Sequence, residues 1–464
     1  MIEAFMISIK NIAACARFIW TTGIFCLSIG LFPDFALAAI PVQHWTQANG
    51  ARVYLVESPA IAMLDAQIDF DAGSRRDPPA QAGLASVTAS MLSKGVRAGG
   101  AGASEPALDE NALSEAWADL GAQFGGSAGS DRLSFSLRSL TEPDLLAKAL
   151  LLAARQIAEP AFPEAIWLRE RQRIEAALKE SYTRPATLAG RAYSEAVYGS
   201  HPYGYEMTAA TLARIGVDDM RAAHAAGVVA CRARISMVGA VTRAQADAMV
   251  TRLLARLPQQ PCSAVAPLPP VAEVAALAQP SEKRIAFDSA QAQVLMGQPG
   301  YRRSDPDHFA LFVGNYILGG GGFVSRMTNE VREKRGLTYG VSSYFSPGLH
   351  AGSFTVGLQT RPDQAAQALG VVRQVLGEFV ASGPTQAELQ AAKDNLIGGF
   401  ALRIDSNRKL LDNIAAIAWN DLPLDYLDSW TRQVDKVTLA DIKAAFARKL
   451  QPEKMVTVIL GAAP

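Results

Sequence analysis

The sequence predicts an α+β protein of two homologous lobes, each a mostly antiparallel sheet covered by helices, set together as a clamshell. Three observations carry this. An internal repeat runs through the chain, strand and helix periodicities mix within each copy, and a Pro/Ala-rich segment joins the copies.

The repeat shows in three places. Ser134-Phe135-Ser136-Leu137 followed by Pro143-Asp144 corresponds to Ser353-Phe354-Thr355-Val356 followed by Pro362-Asp363. Asp219 to His224 corresponds to Asp441 to Phe446, and Arg234 to Gly239 corresponds to Val456 to Gly461. The offsets are 219, 222 and 222 residues, so the chain reads as two copies of one unit of about 220 residues. Between them, 258–280 is rich in proline and alanine, which stiffens and extends a linker. The expected organisation is an export signal over 1–38, a first lobe over 39–257, the linker over 258–280 and a second lobe over 281–464.

Within the first lobe, Arg52–Val56 and Leu64–Phe70 read as a strand pair, and Gly83–Lys94 as a helix. Thr141 is placed to cap a helix that has Pro143 in its first turn. Its inward stripe is Leu145, Leu146, Ala149, Leu152 and Ala153. A further helix spans Pro163 to Lys179. In the second lobe Thr385 and Glu388 form a capping box. There Tyr339–Tyr344 alternates, turns at Pro347-Gly348 and returns as Ser353–Leu358, a hairpin signal.

The N-terminus has the pattern of a secretory signal. Lys10 and Arg17 precede an apolar run from Phe18 to Leu31, and Ala36-Leu37-Ala38 offers a small-x-small cleavage site, with Met1 or Met6 as the start. The run has 14 residues, fewer than the ~20 a membrane span needs. The expectation is therefore a cleaved, periplasmic protein with no stable membrane span. Lys plus Arg equals Asp plus Glu at 44 each, so the overall balance offers no electrostatic footprint for nucleic acid. Cys15 and Cys26 leave with the signal. Cys231 and Cys262 remain, either joined or as one buried and one solvated thiol.

The repeat, the signal, Gly83-Leu84-Ala85 opening a helix, Leu92-x-Lys94-Gly95 after it, and the segment Gly319–Tyr339 resemble the pitrilysin/insulinase family of zinc peptidases. The likeness covers essentially the whole mature chain. It implies a helix bearing His-x-x-Glu-His, in which two histidines one turn apart hold zinc and the glutamate polarises water. Those positions here are Ser86, Ala89 and Ser90. Serine hydroxyls are poor zinc ligands and alanine cannot take a proton. The third ligand, a later glutamate, would fall between Ile174 and Ala177, nearest Ala177. The five histidines, His44, His201, His224, His308 and His350, include no pair four apart. Neither Ser86 nor Ser90 sits in a nucleophile elbow.

A second constellation is kept. After Gly319-Gly320-Gly321-Gly322-Phe323, Arg332 and Tyr339 stand at the seven-residue spacing of the family's arginine and tyrosine. The resemblance implies that these two reach a catalytic site in an opposing lobe or subunit and hydrogen-bond the substrate carbonyl. Both are donors at neutral pH. The bland alternative is that Arg332 pairs with Glu330 or Glu333 while Tyr339 packs inside. Arg326, Lys334 and Arg335 read as a solvated face. A sheet edge nearby would take peptide as an added strand, with Gly129–Leu137 its match in the first lobe. The expectation is the non-catalytic subunit of a heterodimeric peptidase, with zinc and His-x-x-Glu-His on a homologous partner and an unfolded peptide as substrate. The rival expectation is an inactive peptide-binding or scaffold protein of the same fold.

Overall fold

Strand periodicity in the sequence resolves into two sheets in the computed structural model, which describes residues 40–99 and 105–461. The predicted signal, with Cys15, Cys26 and Met6, lies outside the described residues. The first lobe carries β1 (Gln43–Thr46), β2 (Arg52–Glu57), β3 (Met63–Phe70), a short ribbon of β4 (Gly95–Val96) with β5 (Leu108–Asp109), then β6 (Gln123–Ala128), β7 (Leu133–Leu140) and β8 (Arg234–Gly239). The second carries β9 (Ser281–Ile285), β10 (Ala292–Pro299), β11 (Val341–Phe345), β12 (Ser353–Thr360) and β13 (Val456–Leu460).

The strand orders are β1-β2-β8-β3-β7-β6 and β9-β13-β10-β12-β11. Without β1 the two orders are the same. In each, one parallel pair, β2 with β8 and β9 with β13, adjoins three antiparallel pairings. Duplication is thus a property of topology as well as of sequence. The expected β2–β3 pair does not form. β8, returning from the far end of the lobe, inserts between them, parallel to β2 and antiparallel to β3. All six of its residues but Arg234 are buried, which suits a central strand.

The helix expected after Thr141 runs Pro143–Ala158, but its cap is Glu142, whose carboxylate accepts from Leu145 N. Proline at the first helical position and an acid at the cap both favour that start. Of the expected stripe, Leu146, Ala149, Leu152 and Ala153 are buried and Leu145 is half-buried. The Thr385/Glu388 capping box forms as read and opens Gln386–Gly398.

Sequence gave no sign of a helix exchange between the copies. The Pro185–Tyr198 helix packs Ala189, Ala192, Tyr193 and Val197 on Val456, Val458 and Leu460 of the second lobe. Its Tyr193 hydroxyl donates to Phe354 O at 2.9 Å. Reciprocally, the Asn407–Trp419 helix packs Leu411, Ile414 and Ile417 on Tyr54, Val56 and Val238 of the first. Each sheet therefore has its own copy's helices on one face and a borrowed helix on the other. Exposing the large aliphatic side chains of both clusters would cost on the order of 10 kcal/mol, so the lobes are expected to move as one body.

The linker 258–280 carries one 3-10 turn, Cys262–Ala264, and no strand. Cys231 and Cys262 are joined by a disulfide. Beyond it the linker is tied at Ala272 O, which accepts from His201 Nε2 at 3.0 Å, and at Glu273, 3.1 Å from His350 Nδ1. His350 belongs to the β11–β12 turn. That turn meets the first lobe through Asp131, which accepts from Tyr203 Oη at 2.7 Å and from Leu349 N at 3.0 Å.

Candidate functional site

The degenerate motif lies on the Leu84–Met91 helix. Gly83 precedes it at φ +104°, a left-handed conformation that favours glycine. A Cβ there would also strike Met207. The helix has no capping side chain of its own at Gly83. Asp77 supplies one from six residues upstream, accepting from Gly83 N and Ala85 N, each at 2.9 Å. Burial pushes the Asp77 carboxyl up to about 6, against the lowering effect of those amides.

Ser86 and Ser90 occupy the exposed face of this helix, and Ala89 is buried in the first-lobe core. Ser90 Oγ is spent on Val87 O at 2.8 Å. Two hydroxyls and a methyl do not fit zinc, whose protein ligands are thiolate, imidazole and carboxylate. Ala177 is exposed, and the nearest buried carboxylate on its helix is Glu170. Burial alone would raise Glu170, but ion pairs with Arg173 and Arg169 hold it below the usual glutamate range. Lys94, just past the motif helix, lies 3.6 Å from Glu170 and also pairs with Glu110. The carboxylates near the helix end are thus neutralised by protein cations. Among the described residues no cluster of three or more His, Cys, Asp or Glu is arranged to hold a metal.

In the second lobe the glycine run begins inside one π-helical turn, Tyr316–Gly320, and a second, Thr328–Glu333, follows it. π-turns are rare and are frequently found at functional sites. Gly319 is needed for close approach, since a Cβ there would lie 2.5 Å from Ser343 Oγ. Phe323 and Val324 are exposed at 72% and 77%. Arg332 lies in the second π-turn with its guanidinium 4.7 Å from the centre of the Phe323 ring and 3.4 Å from Glu333. Glu330 is taken by Lys334 and Arg335. Leu337 N bonds Val331 O at 3.0 Å, closing the loop that separates Arg332 from Tyr339. Thr338 anchors the far end on Gly340 O and Gln359 O. Tyr339 projects from this rigid frame, 85% exposed, and its hydroxyl makes no hydrogen bond among the described residues. It therefore does not pack inside. Arg326 departs from the expected solvated face. It clamps Glu388 through two nitrogens at 2.8 and 2.6 Å, which ties the π-turn to the Gln386–Gly398 helix.

The two exposed edges beside these elements differ. Alternate backbone groups of β11 face away from β12. There Ser343 O already accepts from Asn315 Nδ2 at 3.0 Å and Val341 O from Thr328 Oγ1 at 3.4 Å. The first-lobe edge is β6, not Gly129–Leu137, whose strand β7 is interior. Among the described residues no side chain bonds the β6 backbone, and Gly125 and Gly126 leave it low-profiled beside the motif helix. At the opposite ends, β9 reads Ser-Glu-Lys-Arg-Ile, a charged and self-protecting edge.

Two histidines bear on stability with pH. His224 Nε2 donates to Ile157 O at 2.8 Å, and burial lowers its pKa to about 4. Burial, with Arg303 nearby, lowers His308 to about 3. Both stay neutral in the native state and take protons below about 6.5 when unfolded, so they cost stability as pH falls. Asp77 works the other way, because its raised pKa binds a proton natively between about 6 and 3.8. The balance predicts a net loss of about 2–3 kcal/mol between pH 7.5 and 5. Urea unfolding at the two pH values checks this, with a His224→Gln, His308→Gln variant expected to show a flatter profile.

The structure thus defines a class: a duplicated peptidase-like scaffold whose own metal motif is replaced by Ser86, Ala89 and Ser90, with Tyr339 of the second lobe exposed and Arg332 half-buried. Residues 214–396 match the family model described as Peptidase M16 inactive domain. The crystal structure of a peptidase M16 inactive domain from Pseudomonas fluorescens superposes with a TM-score of 0.84 at 36% identity, over 91% of this chain and 98% of that one. The chain belongs to the peptidase M16 family, that of pitrilysin and insulinase, as a member of the non-catalytic type. It is 25% identical to the non-peptidase homolog YmxG of Helicobacter pylori over 90% of this chain and 93% of that protein. It is 33% identical to an uncharacterized zinc protease of Streptomyces coelicolor, but the match spans 36% of this chain and 37% of that protein's length. The periplasmic protease PqqL of Escherichia coli shares the fold, with a TM-score of 0.75 at 19% identity over 91% of this chain and 45% of that one. Among the described residues no helix is long and apolar enough to cross a membrane.

Proposed function

We propose that this chain is the non-catalytic subunit of an exported, heterodimeric zinc metallopeptidase of the M16 family. It lends Arg332 and Tyr339 to a homologous partner that carries His-x-x-Glu-His and zinc. The observation that carries this reading is the presentation of Tyr339, a phenol 85% exposed whose hydroxyl has no hydrogen-bond partner among the described residues, on the loop that follows the half-buried Arg332. A guanidinium and a phenol aimed at the carbonyl of a peptide held by the partner would stabilise the oxyanion as it forms. Arg332 makes its ion pair with Glu333 and its contact with the Phe323 ring within the second lobe, which suits a donor that serves another chain. The periplasm is the compartment that the signal pattern and the Cys231–Cys262 disulfide support.

The open β6 edge favours a second reading, in which the first lobe holds an extended peptide by strand addition without cutting it. Native capture of the tagged mature chain from periplasm separates the two. A stoichiometric M16 homologue bearing His-x-x-Glu-His supports the split site. A homodimer that binds peptide, with Arg332→Ala and Tyr339→Phe leaving function unchanged, supports the holding site.

A further inference from the structure

Behind the motif helix, on the side away from Ser86 and Ser90, lies a cavity of about 400 Å³. Its walls are the Asp71–Asp77 turn, the Leu84–Thr88 part of the motif helix and the end of the Val217–Gly227 helix. Linker residues Leu268–Ala272 form its roof. The roof is a strap held at both ends. Arg76 donates to Pro269 O and His201 to Ala272 O, and the Cys231–Cys262 disulfide fixes the linker where it leaves the first lobe. Pro269 and Pro270 have no amide hydrogen to offer a ligand.

The polar groups of the lining are almost all spent. Asp71 pairs with Arg75 and Arg76, and Arg75 also with Asp131. Asp77 accepts two helix amides, and His224 Nε2 is committed to Ile157 O. Paired in this way, the lining presents no unbalanced charge. The remainder is aliphatic, chiefly Leu84, Ala85, Leu133, Ala223, Leu268 and Val271. Two lining residues carry an atom without a hydrogen bond, Arg75 Nε, which lies 3.1 Å from Asp131, and the Thr88 hydroxyl, and both atoms are buried within the wall.

We infer that this cavity is a binding site for a small, uncharged, mainly apolar molecule held beneath the linker strap. Its volume falls in the range of small-molecule pockets. An anion or cation would have to break an existing ion pair to be compensated, and burying it unpaired is disfavoured. The ligand would rest on the motif helix from behind, so the helix that holds metal in catalytic relatives would here serve as a wall.

The test uses 1-naphthol as a fluorescent probe of the full mature chain, with 1-naphthoate as its charged counterpart. Saturable 1:1 binding of 1-naphthol in the micromolar range is expected, with 1-naphthoate at least tenfold weaker. Ala226→Trp, at an exposed position on the cavity lining, should abolish binding while circular dichroism and unfolding midpoint stay as in the wild type. No saturable binding, equal binding of the carboxylate, or unchanged binding in a folded Ala226→Trp would each overturn the inference.

Discussion

Changing Arg332 to alanine together with Tyr339 to phenylalanine is expected to lower peptide hydrolysis by the assembled pair about 10²–10³-fold, the usual cost of removing an oxyanion donor. The effect should fall on kcat more than on KM, since the donors act most strongly when the carbonyl oxygen gains charge. Stability should hardly change. Tyr339 is 85% exposed, and the Arg332 ion pair with Glu333 lies at the surface, where such pairs contribute ~0–1 kcal/mol. A thermal melt alongside the kinetics separates the two effects. A large loss of stability, or full activity in the double variant, would remove these residues from the chemistry.

The second large effect concerns the linker. Replacing Cys231 and Cys262 by serine should cost about 4 kcal/mol in urea unfolding, from the loop entropy that a crosslink spanning 31 residues removes from the unfolded chain. Reducing agent should bring the wild type to the same midpoint and leave the variant unmoved. The linker ends at Ala272 and Glu273 are held separately by His201 and His350, so the native lobes should stay assembled after reduction. A wild type indifferent to reductant would show that the bridge carries no such constraint.

What could be read in the sequence followed from local pattern. The duplication was legible because each copy repeats its strand, helix and returning strand at almost one offset, and the two sheets share their order. The Thr385–Glu388 box was legible because its partners lie within one turn. The loss of the zinc motif was legible because Ser86, Ala89 and Ser90 stand where ligands would. Features that depend on distant chain segments were not. β8 separates β2 from β3 although it lies more than 150 residues downstream, and adjacency in sequence suggested a pair that does not exist. The reciprocal packing of the Pro185–Tyr198 and Asn407–Trp419 helices leaves only ordinary amphipathic stripes in the sequence. Asp77 caps the motif helix from outside the usual capping spacing, so no short pattern announces it. The bridged state of the β11 edge depends on Asn315 and Thr328, which belong to two different turns.

The most direct measurement is the rate of peptide cleavage when this chain is mixed with a purified M16 homologue that bears His-x-x-Glu-His and zinc. Each chain alone should be nearly inactive. The mixture should gain at least 100-fold and saturate at one to one, with the gain lost when this chain carries Arg332→Ala and Tyr339→Phe. A partner that is fully active alone and unaffected by this chain would contradict the split site.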